Sequence, residues 1–204
     1  MTPEIVGLDV PKSPEIEKDT IYGIWLMITT PDKKLFVVEN LKPKFASQKV
    51  PGQWNCPAET FKSPDISFED TIQRAIPEEI GILNYDPTKI KRVGEITFTD
   101  LGIKVKAIPY YIPIKDDSSI IYEPQDSENG DHRWIDINEI TPDKLLTVGQ
   151  YQVPLFRSPM VENTQMLINY LNTGNTNQER TVGLTVPQEL IDQLNRNPGT
   201  HQTS

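Results

Sequence analysis

Residues 68–82, Phe-Glu-Asp-Thr-Ile-Gln-Arg-Ala-Ile-Pro-Glu-Glu-Ile-Gly-Ile, restrict the fold more than any other stretch of this chain. Ile72, Ile76 and Ile80 recur every four residues, so a helix through them carries an apolar stripe that has to lie against a core. Arg74 and Glu78 are i,i+4 neighbours on that helix, and Glu79 lies one step further round the cylinder, at the edge of the stripe. Ser67 is placed to cap the helix, Glu69 and Asp70 suit its positive first turn, and Gly81 is placed to end it. Pro77 removes one backbone bond and meets the carbonyl of Gln73, a cost on the order of 3 kcal/mol, so a kink is expected there. Adjacent carboxylates on a packed helix suit a hard cation such as Mg²⁺, which prefers oxygen ligands. The same pair also suits a solvated acidic helix end.

On either side of this helix the sequence reads as strands. Ile21–Ile28 and Leu35–Glu39 are β-branched and apolar, and Thr30-Pro31-Asp32-Lys33 between them is turn chemistry, so they form a hairpin. Lys91–Phe98 and Ile103–Ile114 predict two more strands with a turn at Asp100-Leu101-Gly102, the second long and apolar enough to be central. An acidic loop follows over 116–131, then a short strand at Trp134–Ile137, a helical turn within 138–146 and a helix over Glu162–Leu171. The expected organisation is an N-terminal leader (1–19), one α/β domain (20–171) and a polar C-terminal extension (172–204). That extension is linker-like over 172–180 and holds a short helix near 187–195. Strands on both sides of one amphipathic helix, with a late helix, predict a mixed sheet covered by helices on its faces.

Composition narrows the partners. At 204 residues the chain can bury a sizeable core. A formal charge of −9 repels phosphate backbones, so duplex nucleic acid is not an expected partner. Small phosphorylated ligands stay open, because a bound divalent cation reverses the local sign. No apolar run approaches the roughly 20 residues needed to span a bilayer, and no secretory signal is read at the start. Cys56 is the single cysteine, which fits a reducing, cytoplasmic setting.

Arg74, Ile76, Glu78, Glu79, Gly81 and Ile82 stand in the register Arg-Glu-aliphatic-any-Glu-Glu-any-Gly-aliphatic, except that Ala75 replaces the first Glu. Upstream, Trp54-Asn55-Cys56-Pro57 resembles a Trp-any-any-Pro lead. Downstream, Trp134-Ile135-Asp136-Ile137-Asn138-Glu139 resembles a Trp-aliphatic-any-aliphatic-any-Glu segment. On these residues the chain resembles the Nudix hydrolase family over roughly residues 20–171. The resemblance implies a Nudix-like α/β/α sandwich with a mixed sheet. It also implies a Mg²⁺- or Mn²⁺-dependent hydrolase that cleaves a nucleoside diphosphate linked to another group, working on a small nucleotide-type substrate, with a homodimer as a common assembly.

The departures bear on the activity. Ala75 stands where the family has a glutamate, Ile66 where it has an earlier one, and Ala58-Glu59 where it has two glycines, in a loop one residue longer. What remains, by the resemblance, is a metal set of Glu78 and Glu79, with Glu59 reaching in from the loop. Arg74 joins the catalytic residues, although its spacing from Glu78 also reads as a structural pair. Glu128 is chosen from Glu123, Asp126, Glu128 and Asp131 as the carboxylate that would orient or deprotonate a water. His132 reads as a solvated surface histidine and Cys56 as inert core. The alternative outcome is a Nudix-fold protein that has lost hydrolysis and binds a nucleotide or a protein partner.

Overall fold

The computed structural model describes residues 19–42, 49–100, 103–125, 128–183 and 186–196. The leader expected over 1–19 therefore lies outside the described residues except for Asp19. In chain order the strands are β1 (Thr20–Thr29), β2 (Lys34–Asn40), β3 (Trp54–Asn55), β4 (Ala58–Thr60), β5 (Gly81–Leu83), β6 (Lys91–Arg92) and β7 (Glu95–Asp100). They continue with β8 (Ile103–Pro113), β9 (Ile120–Tyr122), β10 (Asn129–Asp136), β11 (Leu145–Val148), β12 (Tyr151–Pro154) and β13 (Glu179–Val182). The helices are α1 (Phe68–Glu79), α2 (Ser158–Thr173) and α3 (Gln188–Arg196).

The main sheet runs β10-β2-β1-β8-β7-β13, with β3 beside β2, β4 beside β1 and β6 beside β8. It is mixed: β1 pairs parallel with β8 and β13 parallel with β7, while β1–β2, β7–β8 and β2–β10 are antiparallel. β1 and β8 sit at the centre. The unbroken apolar run Ile24–Ile28 is buried throughout, as a strand covered on both faces must be.

Alternation along β1 then sorts the core into two layers. Ile24, Leu26 and Ile28 pack with Phe36, Val38 and the α1 residues Phe68, Ile72, Ala75, Ile76 and Ile80. Trp25 and Met27 turn the other way, onto Trp54, Phe156 and the α2 residues Met160, Val161, Met166 and Leu167. The result is the expected α/β/α sandwich.

Ser67 caps α1 as expected. Its side chain accepts from the Asp70 backbone N–H, and Asp70 reaches back to the Ser67 backbone, closing a capping box. The helix continues through Pro77 to Glu79, and the next turn is closed by the Ile80 N–H on the Ile76 carbonyl.

Beyond 171 the polar extension holds the short helix expected near 187–195, as α3, and also an edge strand, β13, that the linker-like composition did not predict. β13 joins the sheet through β7, and Gln178 is buried just before it, donating to the Val93 and Met166 carbonyls. Leu190, Ile191 and Leu194 of α3 pack on Val50 and Val153. Linker-like composition did not reveal this strand, because its pairing is entirely long-range. Among the described residues no helix is long and apolar enough to cross a membrane.

Candidate functional site

β4, α1 and the loop between them bring three carboxylates, Glu59, Asp65 and Glu78, together around Arg74. β4 runs antiparallel to β1, with Glu59 opposite Ile24. That approach depends on Gly23, since a Cβ there would come within 3.0 Å of the Glu59 carbonyl oxygen. From α1, Arg74 reaches across. Its Nε and Nη2 grip the two oxygens of Asp65 at 3.2 and 2.7 Å, a fork-to-fork pair. Its Nη1 lies 3.0 Å from Glu78 Oε2 and 3.2 Å from Glu59 Oε1, and Nη2 also donates to the Thr60 carbonyl at 2.8 Å.

The electrostatics follow from this geometry. The Arg74 fork, helped by the Lys62 backbone N–H and the Thr71 hydroxyl, outweighs burial and holds the Asp65 carboxyl below its usual range. For Glu59, burial works upward, but the Thr60 backbone N–H and Arg74 overcome it and the carboxyl is lowered as well. Arg74 itself is held more firmly protonated, chiefly by Asp65.

Glu79 lies apart from this cluster. It is only 9% exposed, and Asn129 Nδ2 donates to its Oε2 at 2.6 Å. The turn after α1 is fixed by Gly81, at φ +111°, where a Cβ would come within 2.7 Å of backbone atoms of Ile121 and Glu123. Glu128 pairs with Lys49 at 3.7 Å and sits one residue before the amide that reaches Glu79. Asp126 lies outside the described residues. Beyond Asn129, the rings of Tyr122 and His132 meet with centroids 4.5 Å apart, and Phe36 and Trp134 extend this aromatic shelf. Burial, then Glu79 and Asp131, push the Tyr122 hydroxyl up to about 12.

The predicted set thus divides. Arg74, Glu59 and Glu78 come together, Glu79 pairs with Asn129, and Glu128 with Lys49. Ala75 is fully buried in the cluster with Ile72 and Ile76, whereas Ile66 is 78% exposed. Two residues of the site, Asp65 and Asn129, are not among those the sequence pattern singles out. A loop one residue longer than the pattern was the available signal for Asp65, since it moves the acidic residue one place before Ile66. No local signal marks Asn129.

A divalent ion fits this arrangement poorly. Glu59 and Glu78 both aim an oxygen at the same guanidinium nitrogen, and an amide N–H₂ occupies Glu79. Among the described residues no group of three or more His, Cys, Asp or Glu side chains comes together at metal-holding spacing.

No family model matches the sequence, and no curated protein matches it significantly. Solved structures do match. The MutT protein of Methanosarcina mazei Go1 has a TM-score of 0.51 at 18% identity, over 78% of this chain and 99% of that one. The NUDIX domain of Shewanella oneidensis NrtR, solved with ADP ribose, has a TM-score of 0.54 at 14% identity, over 78% and 93%. This chain has the Nudix fold. A MutT/nudix family protein from Enterococcus faecalis reaches a TM-score of 0.55 at 14% identity, covering 82% of this chain and 68% of that one. At such identities the likeness carries the Nudix architecture and not the chemistry performed on it.

Proposed function

We propose that this chain is a Nudix-fold binding protein for a small phosphorylated, nucleotide-type ligand, and that it does not perform metal-dependent pyrophosphate hydrolysis. One observation carries the second half of the reading: Asp65, Glu59 and Glu78 all aim an oxygen at a single guanidinium, Arg74, so none of the three is turned toward a shared ion. The guanidinium offsets part of the field that would draw in Mg²⁺ and competes with the ion for the same oxygens. Replacement of the box glutamates by Ala75 and Ile66 supports the same conclusion. The ligand class comes from the fold, since the S. oneidensis NrtR domain was solved with ADP ribose. The reading also carries a cytoplasmic location and no duplex nucleic acid partner.

A second reading, a Mg²⁺- or Mn²⁺-dependent hydrolase, is favoured by the retained Glu78–Glu79 pair. It assigns Glu78, Glu79 and Glu59 as metal ligands, with Glu128 and Arg74 in catalytic roles. In it, Glu78 and Glu59 would share their oxygens between Arg74 and the ion, and Glu128 would act from beside Lys49.

The two readings separate in one experiment. Purified protein is incubated with Mg²⁺ or Mn²⁺ and a panel of nucleoside diphosphate sugars, dinucleoside polyphosphates, ADP-ribose and nucleoside triphosphates. The expected outcome is an intact panel, with at least one member raising Tm even in chelator. Turnover that requires metal and is lost in Glu79→Gln would establish the hydrolase instead.

A further inference from the structure

Resting on the reading above and deepening it, we infer that Asn129 is the residue that closes Glu79 to divalent cations. Glu79 and Asn129 are 9% and 8% exposed, so each needs a partner inside the protein. Asn129 stands at the start of β10, where cross-strand pairing sets it opposite Asn40 of β2. From there Nδ2 donates to Glu79 Oε2 at 2.6 Å, a short bond to a charged acceptor. The amide occupies one oxygen of the buried carboxylate while adding no full charge.

An ion approaching that oxygen would need to come within about 2.1 Å of it and would meet the positive ends of the amide N–H bonds. To admit the ion, Asn129 must turn its oxygen toward it. The bond that its N–H₂ now makes to Glu79 would then be lost, and the buried amide would have to be satisfied anew. Aspartate at 129 has the same shape but presents a second carboxylate beside Glu79. Two buried like charges are unfavourable alone and favourable around a cation. Exchanging one amide nitrogen for oxygen therefore decides whether this part of the site excludes or takes metal.

The test uses the full chain at neutral pH. Mn²⁺ binding is followed by the electron paramagnetic resonance of the free ion, and Tm is measured with and without millimolar Mn²⁺. Wild-type protein should leave the Mn²⁺ signal and its own Tm unchanged. Asn129→Asp should melt lower without metal, recover with Mn²⁺, and bind the ion at least about tenfold more tightly. A folded Asn129→Asp protein with no gain in Mn²⁺ binding would overturn the inference. So would wild-type binding that Glu79→Gln abolishes, a comparison that still decides if Asn129→Asp does not fold. Mn²⁺ held by the wild type without hydrolysis of any panel member would defeat this inference alone, whereas turnover would defeat the functional reading beneath it.

Discussion

Replacing Arg74 with Gln is the perturbation whose consequence the structure defines most fully. The guanidinium makes two bonds to Asp65 and one each to Glu78, Glu59 and the Thr60 carbonyl. The Asp65 and Glu59 side chains are only 4% and 13% exposed, so both carboxylates are left largely out of water when the cation goes. Breaking a buried pair by removing one partner typically costs 3–5 kcal/mol. The Arg74 and Glu78 ends are partly solvated, so about 3 kcal/mol is expected here. For a chain of this size that lowers Tm by about 6–12 °C.

The effect should depend on pH with a definite sign. Asp65 and Glu59 are held below their usual carboxyl values in the folded protein, so the stability they contribute is fully present above the unfolded-state pKa, near 4. It is lost as pH falls through the lower folded-state values. The gap between wild type and Arg74→Gln should therefore be widest near neutrality and close on acidification below about pH 4. Urea unfolding followed by tryptophan fluorescence at a series of pH values measures the gap directly. A gap that is absent at pH 7, or that stays constant down to pH 3, would refute the account of Arg74 as the counter-ion of this loop.

Three further substitutions probe the same frame. Ala75→Glu restores the family's residue at a fully buried position among Phe68, Ile72 and Ile76; it should cost at least about 2 kcal/mol in urea unfolding without conferring turnover, and a stable, hydrolysing variant would contradict this. Ser67→Ala removes one half of the capping box and should cost about 1 kcal/mol, visible as a fall in Tm of a few degrees. Gly81→Ala places a Cβ at φ +111° against the backbone of Ile121 and Glu123, and should cost about 2–4 kcal/mol by thermal or chemical denaturation.

Much of the frame was legible because it rests on local periodicity. The isoleucine spacing, Ser67 and Gly81 set the helix and its ends, and the long apolar run Ile103–Ile114 pointed to a central strand, which β8 is. The linker reading of 172–180 missed the start of β13 at Glu179, because the polar residues there give no local strand signal and only pairing with β7 makes the strand. The candidate site was legible in which residues it contains but not in how they are partnered. Position along a helix fixes the side from which Arg74, Glu78 and Glu79 project. It does not fix which oppositely charged or amide group waits there.

The amino-acid sequence by itself determined the helix, the central strands and the loss of two box glutamates, since each of these depends on residue type and short-range spacing. Only the tertiary structure decided that Asp65 and Glu59 share Arg74 with Glu78, and that Asn129, fifty residues further on, takes Glu79. Those pairings are set by how β4 and β10 lie across the sheet from α1. Electrostatic energy depends on separation in space, and separation along the chain does not encode it.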